Sequence, residues 1–257
     1  MAIIFLNVSE EDFKNNTKPL HKHMSLESAL NMLNNKTMWF ANPTIWKDSF
    51  ESRFVDAKYN CNGVLKTFPF KDKVFCACYT ETAASEAYWT PYSQQQIGVE
   101  FVVNRNELLN QLAVYADKYD IYIGKVEYMK TASIKRPLNK IPFSGSLPLV
   151  WTKEWCARLL LLKRNAYKYE DELRIMIVKK EKTKERGIML EFHCEPTSLI
   201  ERVILDPNLQ VQTEYLFKRI FEDYYNFKPV SNSLGKTYKR VVKSQLYAKK
   251  KVHSFDL

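Results

Sequence analysis

The chain has 257 residues, 39 Lys+Arg against 29 Asp+Glu, a formal net charge of +10, and 46% hydrophobic and 14% aromatic residues. That much apolar surface offsets the conformational entropy of folding and excludes a disordered chain, while the charge predicts affinity for polyanions and says nothing about the fold. Only six Gly occur, and no Pro/Gly/Ser-rich stretch divides the chain, so residues 1–257 are expected to form a single domain.

The N-terminus turns acidic at Glu10, Glu11 and Asp12 instead of showing a signal peptide's basic start, and no apolar run reaches the length of a membrane span. A cytoplasmic protein with no membrane partner is expected. Leu20 to Ser25 reads as a strand, and Ser25 caps a helix in which Leu26, Ala29, Leu30 and Leu33 recur at helical spacing. Met38 to Ala41 is an apolar strand ended by Asn42-Pro43, and Ile45 to Phe54 reads as a loop with a short helical turn. Val74 to Tyr79 is the next strand. A polar helix over Thr82 to Ser93 leads into Ile97 to Val103, whose β-branched run predicts a central strand, and Glu107 to Tyr119 is expected to be helical.

Tyr122 to Tyr128 alternates as a strand, and Lys130 to Pro148, with three prolines, predicts an irregular basic loop. Leu149 to Leu162 is expected to be a helix, followed by a strand over Glu172 to Val178. Lys179 to Arg186 reads as a charged hairpin turn, which makes Ile188 to Phe192 the partner of that strand. Leu199 to Leu205, an amphipathic helix over Gln210 to Tyr225 and a last strand over Tyr238 to Leu246 complete the order. Strands and helices mix without a regular βαβ repeat, so the expected class is α+β with a mixed or largely antiparallel sheet flanked by helices.

Five cysteines without framework spacing suit reduced thiols. Cys76 and Cys78 share a strand face and offer two ligands to a metal with His193 or Cys194, but those two are adjacent and point to opposite faces of a strand. No metal is expected. The phosphate loop G-x-x-x-x-G-K-[ST], the G-x-G-x-x-G fingerprint, the G-x-S-x-G elbow and the H-E-x-x-H helix are all missing from the sequence.

Polar residues at strand ends remain: His21, His23 and Ser25; Tyr79, Thr80, Tyr88 and Tyr92; and Glu170, Glu172 and Arg174. The period of two along a strand predicts Glu170, Glu172 and Arg174 on one face, where a fixed carboxylate can oppose positive charge developing at the anomeric carbon of a sugar. An ordinary ladder of surface charge pairs gives the same spacing. His23 and Ser25 at a helix start offer groups for ribose hydroxyls or a phosphate, although Ser25 caps the helix in either case. Because an imidazole at a strand end supports little core, removing His23 is expected to leave thermal stability almost unchanged; Glu172→Gln is likewise expected to fold normally.

Several motifs occur in a particular order: Leu20-His21-Lys22-His23-Met24-Ser25-Leu26, Met38-Trp39-Phe40-Ala41-Asn42-Pro43, Trp46-Lys47-Asp48-Ser49-Phe50-Glu51, Phe75 to Glu81, Trp89-Thr90-Pro91-Tyr92, Gly98 to Phe101, Tyr169 to Arg174 and Ile200 to Pro207. In that order they resemble a bacterial family known as domain of unknown function 2971, over nearly the whole chain. The H-x-S strand, the Ser85-Glu86-Ala87-Tyr88 helix and the late strand with Glu also resemble ADP-ribosyltransferases of the H-Y-E type. That resemblance implies a split sheet and NAD as co-substrate. It further implies His23 and Ser25 on the nicotinamide side, Tyr88 stacking on nicotinamide, and Glu172 at the ribose with Glu170 as its competitor; Tyr79, Thr80, Tyr92 and Arg174 complete the expected cofactor site. Lys130, Lys135, Arg136 and Lys140 are expected to bind a nucleic acid, RNA foremost. The implied protein is an mRNA-modifying toxin of anti-phage defence with an antitoxin and a chaperone as partners. A non-catalytic nucleic-acid-binding protein and an NAD glycohydrolase are the alternatives.

Overall fold

A computed structural model describes residues 3–46, 48–56, 58–61, 64–82, 86–93, 97–135 and 152–247. Ten of the described strands form one mixed sheet, numbered here in chain order. They are β1 Ile4–Phe5, β2 Leu20–Ser25, β3 Thr37–Ala41, β4 Val74–Thr80, β5 Gly98–Val103, β6 Asp120–Lys125, β7 Glu172–Val178, β8 Gly187–Glu191, β9 Ile200–Leu205 and β10 Val241–Lys243. The order across the sheet is β1-β6-β7-β4-β2-β5-β9-β10, with β3 pairing both β4 and β8. The outermost pairings, β1 with β6 and β10 with β9, are parallel; the others are antiparallel.

Burial follows chemistry strand by strand. All residues of β7 and β5 are buried, as expected for strands flanked on both edges and covered on both faces. Alternation then sorts side chains into two cores. Leu173, Ile175 and Ile177 of β7 join Phe75, Ala77 and Tyr79 of β4 on one face, packed with Leu20, Met24 and Phe101. Met176 and Val178 join Val74 and Cys76 on the other, under Phe54 and Val55 of the helix Ser49–Asp56 and Trp155 to Leu159 of the helix Lys153–Leu159.

The sheet forks at β4. One edge of this strand is paired with β7 from Val74 to Thr80, whereas the other is shared, Cys76 facing Ala41 of β3 and Thr80 facing His21 of β2. β2 and β3, connected by the helix Leu26–Asn35, divide that edge between them, since each position of β4 can pair with only one strand on that side. Ser25 Oγ accepts from the Ser28 N–H at the start of this helix, and Lys36 ends it in a left-handed conformation, φ 48°, with its N–H on the Met32 carbonyl. In the fork, Lys22 Nζ donates to the Cys78 carbonyl at 3.2 Å and lies 4.7 Å above the Tyr79 ring. Burial pushes the Lys22 ammonium below its ordinary value.

Several expected elements differ. The strand Gly187–Glu191 pairs with β3 and not with β7, because both edges of β7 are already taken by β4 and β6. Residues 49–56 form a two-turn helix where a loop with a short helical turn was expected, and the last strand is divided into Thr237–Tyr238, paired with Val230–Ser231, and β10. The helix expected over Glu107 to Tyr119 is Arg105–Ala113, capped by Asn104, whose side chain accepts from the Glu107 N–H.

Gly124 in β6 stands beside Arg174 of β7, and a Cβ there would come within 2.5 Å of Leu161 Cδ1. Leu161 is fully buried, so it has nowhere to yield. Gly124→Ala is expected to destabilise the fold by about 1–3 kcal/mol through overpacking; a chemical-denaturation midpoint equal to wild type would contradict it.

Candidate active site

The face of the sheet that carries Met176 and Cys76 turns polar toward the fork. Cross-strand register places Arg174 opposite Cys78, Glu172 opposite Thr80, Thr80 opposite His21, and His23 opposite Glu100. Side chains of one cross-strand pair share a face, so these residues form a continuous row across β7, β4, β2 and β5.

At one end of the row lies an ionic cluster. Arg174, 1% exposed, donates from Nε to Glu172 Oε1 at 2.6 Å, from Nη2 to Glu172 Oε2 at 3.0 Å and to Glu51, and from Nη1 to the Leu160 carbonyl at 2.5 Å. Its guanidinium also stacks 4.4 Å from the Trp46 ring. Lys163, on the strand Leu162–Arg164, reaches Glu51 at 3.1 Å and Glu172 at 3.0 Å and also contacts Glu170. Burial works against ionising Glu172, but Arg174 and then Lys163 prevail and hold its carboxyl well below the usual range. Glu170 moves the other way. Burial first, with Glu172 beside it, pushes its carboxyl up to about 7 against the pull of Lys163.

Glu170 does not lie on the strand, contrary to the expected face-sharing. It ends the short helical segment Asn165–Glu170, and Asp171, in a left-handed conformation with φ 39°, breaks the period before β7 begins. The Glu170 carbonyl accepts from Thr80 Oγ1 at 2.5 Å and from the Tyr88 hydroxyl, and the Glu172 N–H donates to the Tyr128 hydroxyl at 2.9 Å.

The other end of the row is a histidine pair on a buried carboxylate. Glu100 has no exposed surface; His21 Nδ1 hydrogen-bonds its Oε1, and His23 Nε2 lies 3.2 Å from its Oε2. Burial opposes its ionisation, but His21 and His23 more than compensate and bring the carboxyl down to about 2. The Tyr88 ring stacks on His23 with centroids 4.8 Å apart and planes 12° from parallel, and Trp89 meets His23 edge-on at 5.3 Å.

The fork therefore joins His23, Tyr88, Thr80, Glu170 and Glu172. Other expected residues lie elsewhere or are already engaged. Tyr79 faces the opposite core beneath Lys22, because neighbouring strand residues alternate. Arg174 is an internal cation with its donors used within the protein, and the Ser25 hydroxyl donates to Ser28 Oγ at 3.0 Å at the helix start. Tyr92 ends the helix Glu86–Tyr92, and its side chain lies outside the described residues. Lys130 and Lys135 are exposed at the ends of the short helix Thr131–Ile134, while Arg136 and Lys140 lie outside the described residues. Glu51, Lys163 and Glu100 were not singled out from the sequence; Glu100 had a local signal, a lone carboxylate inside the apolar run Gly98–Val103. Among the described residues, no group of three or more His, Cys, Asp or Glu is arranged to hold a metal.

No protein-family model matches this chain, and neither the curated proteins nor the solved structures yield a significant match.

Two expectations about stability are corrected here. His23 is buried against Glu100 and Tyr88, and Glu172 is a central member of the ionic cluster, so both substitutions are expected to cost stability. His23→Ala is expected to lower the melting temperature clearly, since losing a partner from a buried polar group costs about 1–3 kcal/mol; an unchanged melting curve would return His23 to the role of a surface ligand.

Glu100 also predicts a pH dependence. Its carboxyl is lower in the folded than in the unfolded chain, so its stabilising contribution is complete above the ordinary carboxylate range and is lost as pH falls from there toward about 2. Glu100→Gln should be less stable than wild type at neutral pH and show a smaller further loss between pH 5 and 3, measured by urea unfolding. Parallel acid profiles for the two proteins would count against this account of Glu100.

Proposed function

We propose that the protein is an NAD-dependent ADP-ribosyltransferase whose reacting centre is the fork of the sheet, with a nucleic acid, RNA foremost, as acceptor. The observation that supports this reading most is the contact chain from His23 through the stacked Tyr88 to Glu170, beside Glu172. These are the residues that the resemblance to H-Y-E transferases singles out, and they come from three distant stretches of sequence. The net charge of +10 favours a polyanionic acceptor.

The two carboxylates suit different tasks because their surroundings separate their ionisation. When the bond between ribose C1′ and the pyridinium nitrogen of NAD breaks, its electron pair passes to the nitrogen, nicotinamide leaves neutral, and positive charge develops on the ribose. Glu172, held ionised at neutral pH, is the fixed anion that opposes this charge. A hydroxyl or amine of the acceptor donates its lone pair to C1′, and its proton passes to Glu170, whose carboxyl exchanges protons near neutrality. Tyr88, backed by the His23 ring stacked on it, is the aromatic wall on which a nicotinamide ring stacks.

Incubation with NAD labelled in its ADP-ribose half, together with total RNA, tests the reading. Release of nicotinamide and transfer of label to RNA are expected, with Glu172→Gln slowed by roughly two orders of magnitude or more. Glu172→Gln should also melt lower, so rates are compared at a temperature where both proteins are folded. Label recovered only as free ADP-ribose would make the protein an NAD glycohydrolase; no release of nicotinamide would end the transferase reading.

A further inference from the structure

We propose that Lys163 is the positioning residue of the fork: it holds the Glu170 carboxylate against the Glu51–Arg174–Glu172 layer and sets the pH at which that carboxylate exchanges a proton. The catalytic consequence rests on the proposed transfer reaction, but the structural claim stands apart from it.

A lysine that is 8% exposed needs a compensating reason to be buried, and three carboxylates provide it. Its strand is fixed from both sides. Leu162, Lys163 and Arg164 pair in parallel with Glu127, Tyr128 and Met129, and Leu161 packs in the space that Gly124 leaves open. Arg174 spends its donors on Glu172, Glu51 and the Leu160 carbonyl. Among the described residues, only Lys163 forms an ion pair with Glu170.

Charge balance follows from this division. Glu51, Glu170 and Glu172 face two cations, Lys163 and Arg174, which leaves one negative charge in excess. Glu51 and Glu172 each touch both cations, whereas Glu170 touches one and is the least buried of the three carboxylates. The excess therefore falls on Glu170. The other groups facing it are Tyr88 from the helix 86–92, Tyr128 from the strand Glu127–Met129 and its own neighbour Tyr169, and burial raises all three phenols above their ordinary value, so none titrates near neutrality. If Lys163 only filled space, its charge would not matter to Glu170.

The test uses the full-length protein carrying ¹³C at the glutamate carboxyl carbons, with the Glu170 signal assigned by its loss in Glu170→Gln. In wild type this signal should titrate near neutral pH. Lys163→Met removes the cation that favours the anion, so the midpoint should rise by about one pH unit or more. Lys163→Arg, which keeps the charge, should stay close to wild type. Glu51→Gln gives the opposite sign, because removing a carboxylate leaves Lys163 more available to Glu170; its midpoint should fall. This variant keeps the proposal testable if Lys163→Met does not fold. A midpoint in Lys163→Met equal to wild type, a Lys163→Arg that behaves like Lys163→Met, or no fall in Glu51→Gln would overturn the proposal. For nicotinamide release, the acidic limb of the pH profile should move with the midpoint. If wild type releases none, the transferase reading fails, while the carboxyl titration still decides the role of Lys163.

Discussion

Burying the guanidinium of Arg174 in the central strand of a sheet sets the terms for much of this structure. An unpaired charge there would cost several kcal/mol, and removing one partner from a buried pair costs about 3–5 kcal/mol. Glu172, two residues earlier on the same face, supplies one carboxylate, but its charge alone leaves Nη1 and part of Nη2 unsatisfied. The helix Ser49–Asp56 brings Glu51, and the end of the helix Lys153–Leu159 brings the Leu160 carbonyl. Two distant segments are thus docked on β7 by the hydrogen-bonding capacity of one side chain. Lys163 then enters between carboxylates that Arg174 has already gathered, and Glu170 takes the position left over.

The fork applies the same logic to the backbone. Where β2 and β3 diverge along β4, peptide groups lose their ladder partners, and buried unpaired groups are costly. Lys22 covers one of them by donating to the Cys78 carbonyl, and Thr80 and Tyr88 direct their hydroxyls to the Glu170 carbonyl. Along the fork the row of polar side chains from Glu172 to His23 is buried, and its charged members are paired within the protein. Two open hollows on the described surface, along Glu27, Asn31 and Asn34 of the helix that follows β2 and beside His193, hold none of the clustered carboxylates.

Elements with a strong local pattern were legible in the sequence. The strands at Leu20–Ser25, Val74–Thr80, Gly98–Val103 and Glu172–Val178 and the Ser25 cap follow from apolar alternation, β-branched runs and capping chemistry. The shared face of Glu172 and Arg174 also followed from the period of two. Long-range pairing was not legible. The charged segment between Val178 and Gly187 looks like a hairpin turn, but nothing local to it records that β4 and β6 already occupy both edges of β7, so β8 pairs with β3. Glu51 and Lys163 were missed for the same reason, since each sits in a segment that reads as an ordinary amphipathic or basic stretch until Arg174 draws it in. The one-residue break at Asp171, which takes Glu170 off the strand, depends on a left-handed backbone that Asp tolerates but does not announce.

The central claim is that the fork is where NAD binds and reacts, and a crystal structure of the protein with a non-hydrolysable NAD analogue tests it most directly. The account predicts the nicotinamide ring stacked on Tyr88, with ribose C1′ facing Glu170 and Glu172 at the fork. An analogue bound at another place on the molecule, with the fork unchanged, would contradict it.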